Sequence, residues 1–533
     1  MSVVRETVFV RIICVAGQVV FFLLLLAWLV GAVEPELIYH GGGVILDFPV
    51  FETDGAFAGP FFVRAGGPSE YVTAFLAQMF YHRWAGATVI FTLALVYAAG
   101  TGRLLRMTFG PKFRWLRWLA VPLILMPFNG YRYELPLVVS GAFAIGLLWF
   151  YLWLIEKRPR RAPLVVALGL AIAGWFAFES AVLLAALIAF YHLFKSSRIA
   201  GNLCSPSQAR MTHLVVTAAL VLLFSMLTVW ISFDRLRKVV LKTDLLADRQ
   251  DWAALLEIGG GYRQHFYVIH LVNRALCHLG RLGEEMFAWP QHYDALFLTD
   301  GSNAADWKRS DLYMELGALN KAEMTITEAM EKFGVREYLL KRQVLINMAQ
   351  GQSEVAMVYL NALEKRLWHK RWARRYLKLL DEERVLEDAT VRQLAANAID
   401  DDYCFTSMAG SQMFAALLEK NKGNRMAAEY GVSLYLLTGK LGHFVKQAAD
   451  MGADGLPMPA AWEQALLLYM SQNRGDRIVQ GMRVRPEAIE TYRGFSGLYR
   501  RFPTKEAGRE TLAREFGDTY LFYYAYGYSG AKQ

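Results

Sequence analysis

The sequence predicts an all-α protein in two parts, a polytopic helical membrane domain followed by an α-solenoid of stacked helix hairpins. Three observations lead to this prediction. Long apolar segments are confined to residues 1–233, cations concentrate in alternate loops between those segments, and residues 234–533 are more polar and helical in pattern. The whole chain is 55% hydrophobic with a mean hydropathy of +0.23, which is more apolar than an ordinary soluble protein.

Seven apolar segments of the first part are candidates for membrane-spanning helices, since about 20 apolar residues suffice to cross the hydrocarbon core. They are residues 12–33, 85–100, 115–129, 135–155, 163–178, 180–194 and 211–232. The first segment does not read as a cleaved signal peptide, because its apolar run is too long and "EPEL" follows it rather than a small-residue cleavage site. We therefore expect about seven transmembrane helices.

The cations between these segments predict how the chain is oriented. Residues 1–233 contain 17 lysines and arginines against 10 acidic residues, and alternate loops hold most of the cations, as in "KRPRR" at 157–161. The intervening loops hold only Arg64 and Arg132. Cation-rich loops stay in the cytoplasm, which predicts a multi-pass protein of the bacterial cytoplasmic (inner) membrane with a cytoplasmic N-terminus and a periplasmic C-terminal domain. The net charge of +9 then needs no polyanion, and we expect no nucleic-acid partner.

Residues 163–194 leave two topologies open. A single broken helix would give six crossings and a cytoplasmic C-terminal domain, whereas a hairpin gives seven crossings. The polar turn "FES" at Phe178–Ser180 favours the hairpin. Arms of sixteen residues reach only about 24 Å, less than the hydrocarbon core of about 30 Å. Glu179 would then be recessed below the outer surface, beside a groove open to the outer leaflet.

Charged residues near the predicted outer face are the candidate functional residues, because ionisable groups at a membrane boundary are often functional. The first outer loop, residues 34–69, is rich in acids and is followed by a predicted interfacial helix at 68–83. In this helix the apolar residues Val72, Phe75, Leu76, Met79 and Phe80 recur at helical spacing. The acids of the first outer loop include Glu52 and Asp54. The candidate binding residues are Asp47, Arg132, Glu134 and Glu179.

The second part, residues 234–533, has the spacing of tetratricopeptide-like helix hairpins. In residues 310–334 the pattern residues are Tyr313, Leu316, Gly317, Ala329 and Phe333. Gly351 follows Gly317 by 34 residues, the expected period, and looser repeats surround Gly280, Gly439 and Gly475. Stacked repeats of this kind usually present a surface that binds peptides or proteins. We therefore expect a protein or peptide partner at the repeat domain.

Signatures of catalysis are otherwise sparse in the sequence. It contains no phosphate-binding loop, no GxSxG and no HExxH. His265 and His270 are five residues apart, so they do not share one helical face, and no spacing suggests a metal. We expect no cofactor.

Four stretches together resemble an uncharacterised family of bacterial multi-spanning membrane proteins. They are "YHGGG" with its following "FP", "GGPSEYVTAFLAQMFYHRWAGA", "VNRALCHLGRLGEEMFAWPQHYDALFL" and "REFGDTYLFYY". The resemblance covers nearly the whole chain and implies this architecture without an activity.

A weaker architectural resemblance is to the C-superfamily of lipid-phosphosugar glycosyltransferases. Those enzymes share a seven-helix module with acids in the first outer loop, and this resemblance implies a catalytic acid among the acids of that loop, with "ETD" (Glu52–Asp54) the closest match. They usually have more than seven spans, however, and their acidic pair often follows the first helix sooner than "ETD" does. "EPE" (Glu34, Glu36) fits that position but has a proline between its acids.

Two functions from different classes follow, and whether the protein is an enzyme is left open. The first is an envelope scaffold that organises partners outside the membrane through its repeat domain. The second is a membrane glycosyltransferase that uses a lipid-linked sugar at the outer leaflet, with the acceptor held by the repeats. A transporter ranks third, since no discontinuous helix pair or internal symmetry is clear. Both leading functions have the lipid bilayer as a partner.

Overall fold

The structure is a computed structural model that describes residues 2–41, 48–157, 162–196, 210–299, 301–399, 410–452, 458–473 and 483–527. The chain divides into two compact units. The first comprises Met1–Lys238 together with the short segment Lys365–Lys370, and the second comprises Val239–Glu364 and Arg371–Gln533. The described residues form helices and one isolated antiparallel β-bridge, between Glu52 and Arg366, but no strand. The predicted all-α class is therefore confirmed.

The first unit is built from ten α-helices within its described residues. They are α1 (Ser2–Trp28), α2 (Glu36–His40), α3 (Gly55–Val63), α4 (Gly67–Gln78), α5 (Arg83–Phe109), α6 (Ala120–Asn129), α7 (Leu135–Lys157), α8 (Ala162–Phe176), α9 (Phe178–Ser196) and α10 (Arg210–Ser232).

Some of these helices are apolar and long enough to cross a membrane, as predicted. By length and composition three stretches qualify, Val15–His40, Arg83–Phe109 and Leu135–Lys157. A fourth qualifies if Ala219–Ser232 and Arg235–Asp248, which meet at an angle of 63°, count as one broken span. The other predicted segments are helical but shorter. The ten residues of α6, for example, rise only about 15 Å.

Residues 163–194 form two helices. Helix α8 ends at Phe176 and α9 begins at Phe178, and the chain reverses at Ala177. Gly174 faces Ala181, and Gly169 faces Leu184, so the two helices pack antiparallel. The small residues at this contact let the helix backbones approach closely.

The predicted first outer loop is largely structured. It contains α2 and α3, neither of which was predicted, and α4 is the predicted interfacial helix, which continues as a 3₁₀ turn at Met79–Tyr81. Helix α4 packs inward through small and polar residues. Ala74 and Ala77 are buried together with the polar Thr73 and Gln78, whereas apolar Val72 and Phe75 are exposed. Small residues allow close packing, and the polar groups bond to backbone carbonyls, as Thr73 Oγ1 does to Ser69.

The second unit continues as short helices. They are α11 (Arg235–Asp248, whose first turn lies in the first unit), α12 (Trp252–Gly259), α13 (Phe266–His278), α14 (Leu282–Glu285), α15 (Tyr293–Phe297), α16 (Asn303–Leu316), α17 (Leu319–Phe333), α18 (Glu337–Ala349), α19 (Ser353–Glu364), α20 (Lys370–Asp381), α21 (Ala389–Asn397), α22 (Gly410–Lys420), α23 (Arg425–Leu437), α24 (Leu441–Gly452), α25 (Ala460–Gln472), α26 (Pro486–Tyr499), α27 (Arg509–Phe516) and α28 (Tyr520–Tyr526).

The repeat glycines of the sequence lie where helices end. Gly280, Gly317, Gly351 and Gly439 all have positive φ, the left-handed conformation that favours glycine at the residue after a helix. At Gly317 a second constraint applies, because a Cβ there would lie 2.2 Å from the carbonyl oxygen of Asn397. The fifth repeat glycine, Gly475, lies outside the described residues. The 34-residue spacing thus corresponds to two successive helix–glycine–helix pairs, α16–α17 and α18–α19.

Candidate functional site

The candidate catalytic pair, Glu52 and Asp54, is engaged in ion pairs. Glu52 lies 3.1 Å from Arg366 Nη2, and Asp54 lies 3.1 Å from Lys365 Nζ. Between the two acids, the backbone N–H of Thr53 donates to the carbonyl oxygen of Lys365 at 2.9 Å. The motif "ETD" therefore binds the start of the six-residue segment Lys365–Lys370, which belongs to the same unit.

Asp54 also begins helix α3 as its N-cap. Its Oδ1 accepts the backbone N–H of Phe57 at 2.9 Å. That hydrogen bond and the one from Lys365 lower the pKa of Asp54 from its ordinary value, and the same contact raises the pKa of Lys365. A general base works best with a pKa near the working pH. Asp54 is therefore a carboxylate paired with Lys365 and ionised at neutral pH.

The rest of the six-residue segment packs on the predicted interfacial region. Trp368 Nε1 donates to the carbonyl oxygen of Gln78 at 2.6 Å, and its ring stacks on Tyr81 with centroids 5.7 Å apart. His369 Nε2 lies 3.2 Å from the hydroxyl of Tyr39. The sequence reasoning missed this segment. Its available signal was "KRLWHK" itself, three cations with a tryptophan and a histidine between two helices.

A second ionic cluster surrounds "EPE" at the end of the first apolar stretch. Arg83 Nη2 lies 2.6 Å from Glu34 and 2.8 Å from Glu36, and Lys238 Nζ lies 3.1 Å from Glu34. Both carboxylates are buried. Lys238 also donates to the carbonyl oxygen of Ala32 at 2.6 Å. Glu34 has φ +50°, a left-handed conformation that is uncommon outside glycine and is held here by these contacts.

Arg132 and Glu134, two of the predicted binding residues, line one large cavity of the first unit. Its volume is about 1310 Å³. Most of its wall is apolar and comes from the ends of α1, α6, α7 and α10. The charged residues of the lining are Arg132, Glu134, Asp234, Arg235 and Arg237. The last three were not singled out from the sequence, although "FDRLRK" places three cations directly after an apolar segment.

Buried polar contacts fix the charged end of this cavity. Asn129 is fully buried, and its side chain accepts from Trp28 Nε1 and donates to Ser232 Oγ, both at 3.0 Å. Its carbonyl oxygen accepts the N–H of Asp234 at 3.2 Å. Tyr131, next to Arg132, is also fully buried and has φ +52°. Asn129 therefore connects the ends of α1, α6 and α10. These contacts hold in place the backbone next to the cavity arginines Arg132 and Arg235.

The other predicted binding residues lie elsewhere. Glu179 is exposed in the first turn of α9 and is not part of the cavity, so the structure does not bring it together with Arg132 and Glu134. Asp47 lies outside the described residues. Across the described parts of the chain, no group of three or more His, Cys, Asp or Glu side chains is arranged to hold a metal ion.

The second unit contains a polar groove of about 540 Å³ between its helices. Its lining is rich in side-chain amides, which can both donate and accept hydrogen bonds. They are Gln250, Gln393, Asn397, Asn421 and Asn424. Asn421 Nδ2 donates to Asn397 Oδ1 at 2.8 Å, and Asn424 Nδ2 donates to the carbonyl oxygen of Leu316 at 2.8 Å. Arg425 and Glu315 add one charge of each sign to the lining.

A buried ionic network lies in the core of the same unit and was also missed. Lys308, only 1% exposed, lies 3.0 Å from Asp244 and 2.9 Å from Asp248. Arg342 lies 2.9 Å from Asp311, and both Arg342 and Lys308 lie over the ring of Tyr338.

The network continues from Asp311 through Arg274 to Glu315. Arg274 lies 2.8 Å from Glu315 and 3.7 Å from Asp311. Burial alone would raise the pKa of Glu315, but the charge of Arg274 and hydrogen bonds from His278 and Arg274 outweigh it and lower the pKa to about 2. The charges are paired with one another, as buried charges must be to be stable. This network reads as structural.

Comparison with known proteins places the chain in a family but supplies no activity. Neither a search of curated proteins nor a search of solved structures returns a match. A family model with the description "Family of unknown function (DUF6057)" matches residues 9–237 and 202–527. Since the two matches together cover nearly the whole sequence, the chain belongs to this family of unknown function.

Proposed function

We propose that this protein is a multi-pass protein of the bacterial cytoplasmic membrane that holds a protein partner outside the cytoplasm through a solenoid of tetratricopeptide-like hairpins. In this proposal about seven helices span the membrane. The observation that carries it is the pairing of the six-residue segment Lys365–Lys370 with the first outer loop, because this pairing constrains both the topology and the role of the candidate acids.

The parity of the membrane crossings supports this topology. Residues that pair directly lie on the same side of a bilayer, so the chain crosses an even number of times between Glu52 and Arg366. The six apolar segments between them satisfy this condition if residues 163–194 form a transmembrane hairpin, whereas one crossing there would give an odd number. The short third segment is long enough if the 3₁₀ turn Pro111–Leu119 is included, since its rise and that of α6 come to about 33 Å.

The amide-lined groove supports a protein partner over a small molecule. An extended peptide offers a regular row of N–H and C=O groups, and side-chain amides can bond to both kinds without selecting a sequence. Gln250 and Gln393 are exposed on the lining and available for such contacts. The helix–glycine–helix pairs around Gly317 and Gly351 are the unit from which peptide-binding solenoids are built.

Site-specific cross-linking in living cells tests this proposal. A photoreactive amino acid at Gln393, inside the groove, should yield one discrete adduct with another protein. The matched control is the same group at Lys378, an exposed position on α20 outside the groove lining, which should yield none. Equal adducts at both positions, or none at Gln393 in cells that contain normal amounts of folded protein, would contradict a partner in the groove.

The second candidate function is a glycosyltransferase that uses a lipid-linked sugar. It is favoured by the large cavity of the first unit, which combines apolar walls with arginines. Under this alternative, as the sequence suggested it, Glu52 is needed as a carboxylate. Under the scaffold proposal, Glu52 is needed only as the ion-pair partner of Arg366.

A charge swap separates these two roles of Glu52. The single change Glu52→Arg places two like charges together and should impair the protein in either case. Adding Arg366→Glu restores the ion pair with no carboxylate at position 52. Under the scaffold proposal, the double variant should recover complementation of a strain that lacks the gene. Recovery of thermal stability without recovery of complementation would favour the enzyme.

A further inference from the structure

We infer that the cavity of the first unit is a binding site for one anionic phospholipid, with the phosphate held by Arg132 and Arg235 and an acyl chain along the apolar wall. This site does not depend on the scaffold role proposed above. It is argued from the walls, the charged mouth and the size of the cavity.

The walls match a hydrocarbon chain. Leu137, Met226 and Trp230 line the cavity and remain 60%, 75% and 76% exposed. Large apolar side chains exposed to this degree would be unfavourable in water, but they are expected where a helix faces lipid. They come from α7 and α10, both of which are apolar helices. An acyl chain lying between these helices would cover them.

The mouth matches a phosphate. Arg132 and Arg235 are exposed at the cavity lining, and neither lies within ion-pair distance of a carboxylate in the described parts of the chain. A third cation, Arg237, is also on the lining, and the charge of Asp234 acts on it more strongly than the charge of Arg132 does. Arg132 and Arg235, which form no ion pair within the described residues, are available to an anion in the cavity, and guanidinium groups bind phosphate oxygens in a bidentate manner.

The remaining charged groups at the mouth indicate the kind of headgroup. Glu134 and Asp234 also line the cavity, and each can accept hydrogen bonds from a hydroxyl. Asp234 accepts the backbone N–H of Arg237 at 2.9 Å through one of its two oxygens. A headgroup with a phosphate beside hydroxyls, as in phosphatidylglycerol, satisfies both the arginines and the acids. A choline headgroup offers no hydroxyl donor.

The distribution of cations supports the same conclusion. On the predicted outer side of the membrane, Arg64 pairs with Glu70, Arg83 pairs with Glu34 and Glu36, and Lys238 pairs with Glu34.

The volume of the cavity, about 1310 Å³, exceeds the range of about 300–1,000 Å³ that is usual for small-molecule pockets. A lipid with one chain inside uses this space, whereas free phosphate would leave most of it empty.

Native mass spectrometry of the full-length protein, delipidated in detergent and titrated with phosphatidylglycerol, tests the site. The wild type should retain one lipid that resists collisional removal. The double variant Arg132→Gln/Arg235→Gln should bind that lipid about tenfold more weakly or worse, because two charge-assisted contacts are lost. The matched control Arg64→Gln, which removes an exposed arginine of the same unit, should bind like the wild type.

Three further arms make the result decisive. Leu137→Trp, at an exposed wall position that tolerates bulk, should reduce binding by filling the apolar part of the cavity. Phosphatidylcholine should bind at least tenfold more weakly than phosphatidylglycerol, and millimolar inorganic phosphate should not displace the lipid. The inference is overturned if the double variant binds as tightly as the wild type. Displacement by inorganic phosphate, equal binding of phosphatidylcholine, or no effect of Leu137→Trp would each overturn it too.

Discussion

The two ionic clusters of this protein are made of the same groups but differ in how far those groups are removed from water. In the first unit, Arg83 and Lys238 hold Glu34 and Glu36, and the two cations remain 32% and 23% exposed. In the second unit, Lys308 is 1% exposed between Asp244 and Asp248. The comparison indicates in which cluster a cation can be removed at the smaller cost in stability. Where the cluster stays in contact with water, removal of a cation leaves less uncompensated charge.

The largest effect is expected from Lys308→Met in the second unit. Breaking a buried pair leaves uncompensated charge on Asp244 and Asp248 and should destabilise the helices around them by about 3–5 kcal/mol. Hydrogen exchange of α16 amides in the full-length protein would measure the loss. The control Lys332→Met removes a half-exposed lysine of the same unit, and its cost should be within about 1 kcal/mol. Equal costs for both variants would remove the distinction between the clusters.

A pH dependence should distinguish the second unit further, through His270. Burial and the charge of Arg274 lower the pKa of His270 from 6.5 to about 3, so the folded unit keeps it neutral. Its contribution to stability is complete above pH 6.5 and is lost toward pH 3, by up to about 1.4 kcal/mol per pH unit. Asp244 opposes this below pH 6, because burial raises its pKa to about 6 and protonation then favours the folded state.

Comparing the wild type with His270→Asn cancels the contribution of Asp244, since both proteins contain it. The asparagine amide keeps a donor for the carbonyl oxygen of Ala295, which the ring Nδ1 contacts at 3.1 Å. The stability of the wild type relative to the variant should fall as the pH decreases from 6.5 to 4.5. A difference that stays constant over this range would show that His270 titrates normally in the folded protein.

A smaller effect is expected from Arg83→Gln in the first unit. Glu34 keeps its contact with Lys238, and the site is open to water on the cation side, so we estimate a loss of about 2 kcal/mol, between exposed and buried pairs. Thermal unfolding in detergent, with Arg64→Gln as an exposed control, would measure it. A loss as large as that of Lys308→Met would show that the two clusters are equally sequestered.

Much of the fold was accessible from the sequence because it depends on local periodicity. Apolar runs predicted the helices of the first unit, and the 34-residue spacing from Gly317 to Gly351 predicted two helix pairs, since a left-handed residue is needed where each first helix ends. Arg132 and Glu134, which line the cavity, were proposed as binding residues because charge beside an apolar segment is unusual, and that role stays a prediction. These signals are contained within a few residues.

The partners of the candidate acids were not accessible in the same way. Thr53 bonds to Lys365 across a separation of 312 residues, and no local pattern specifies such a pairing. The inward packing of α4 through Ala74 and Ala77 was likewise not accessible, because it depends on how closely small residues let the helix approach its neighbours. The cations of "FDRLRK" carried a signal, since three positive charges on the predicted outer side depart from the usual asymmetry.

The late arrival of the segment Lys365–Lys370 has a consequence for biogenesis. The first unit contacts this segment through Tyr39, Thr53 and Gln78, from which the segment's contacting residues are separated by 330, 312 and 290 residues, so the unit is incomplete until this later part of the chain has been synthesised. Contacts of such long range are slow to form because the intervening chain must first be ordered. Until Lys365 and Arg366 have been synthesised, Glu52 and Asp54 lack the cations with which they pair.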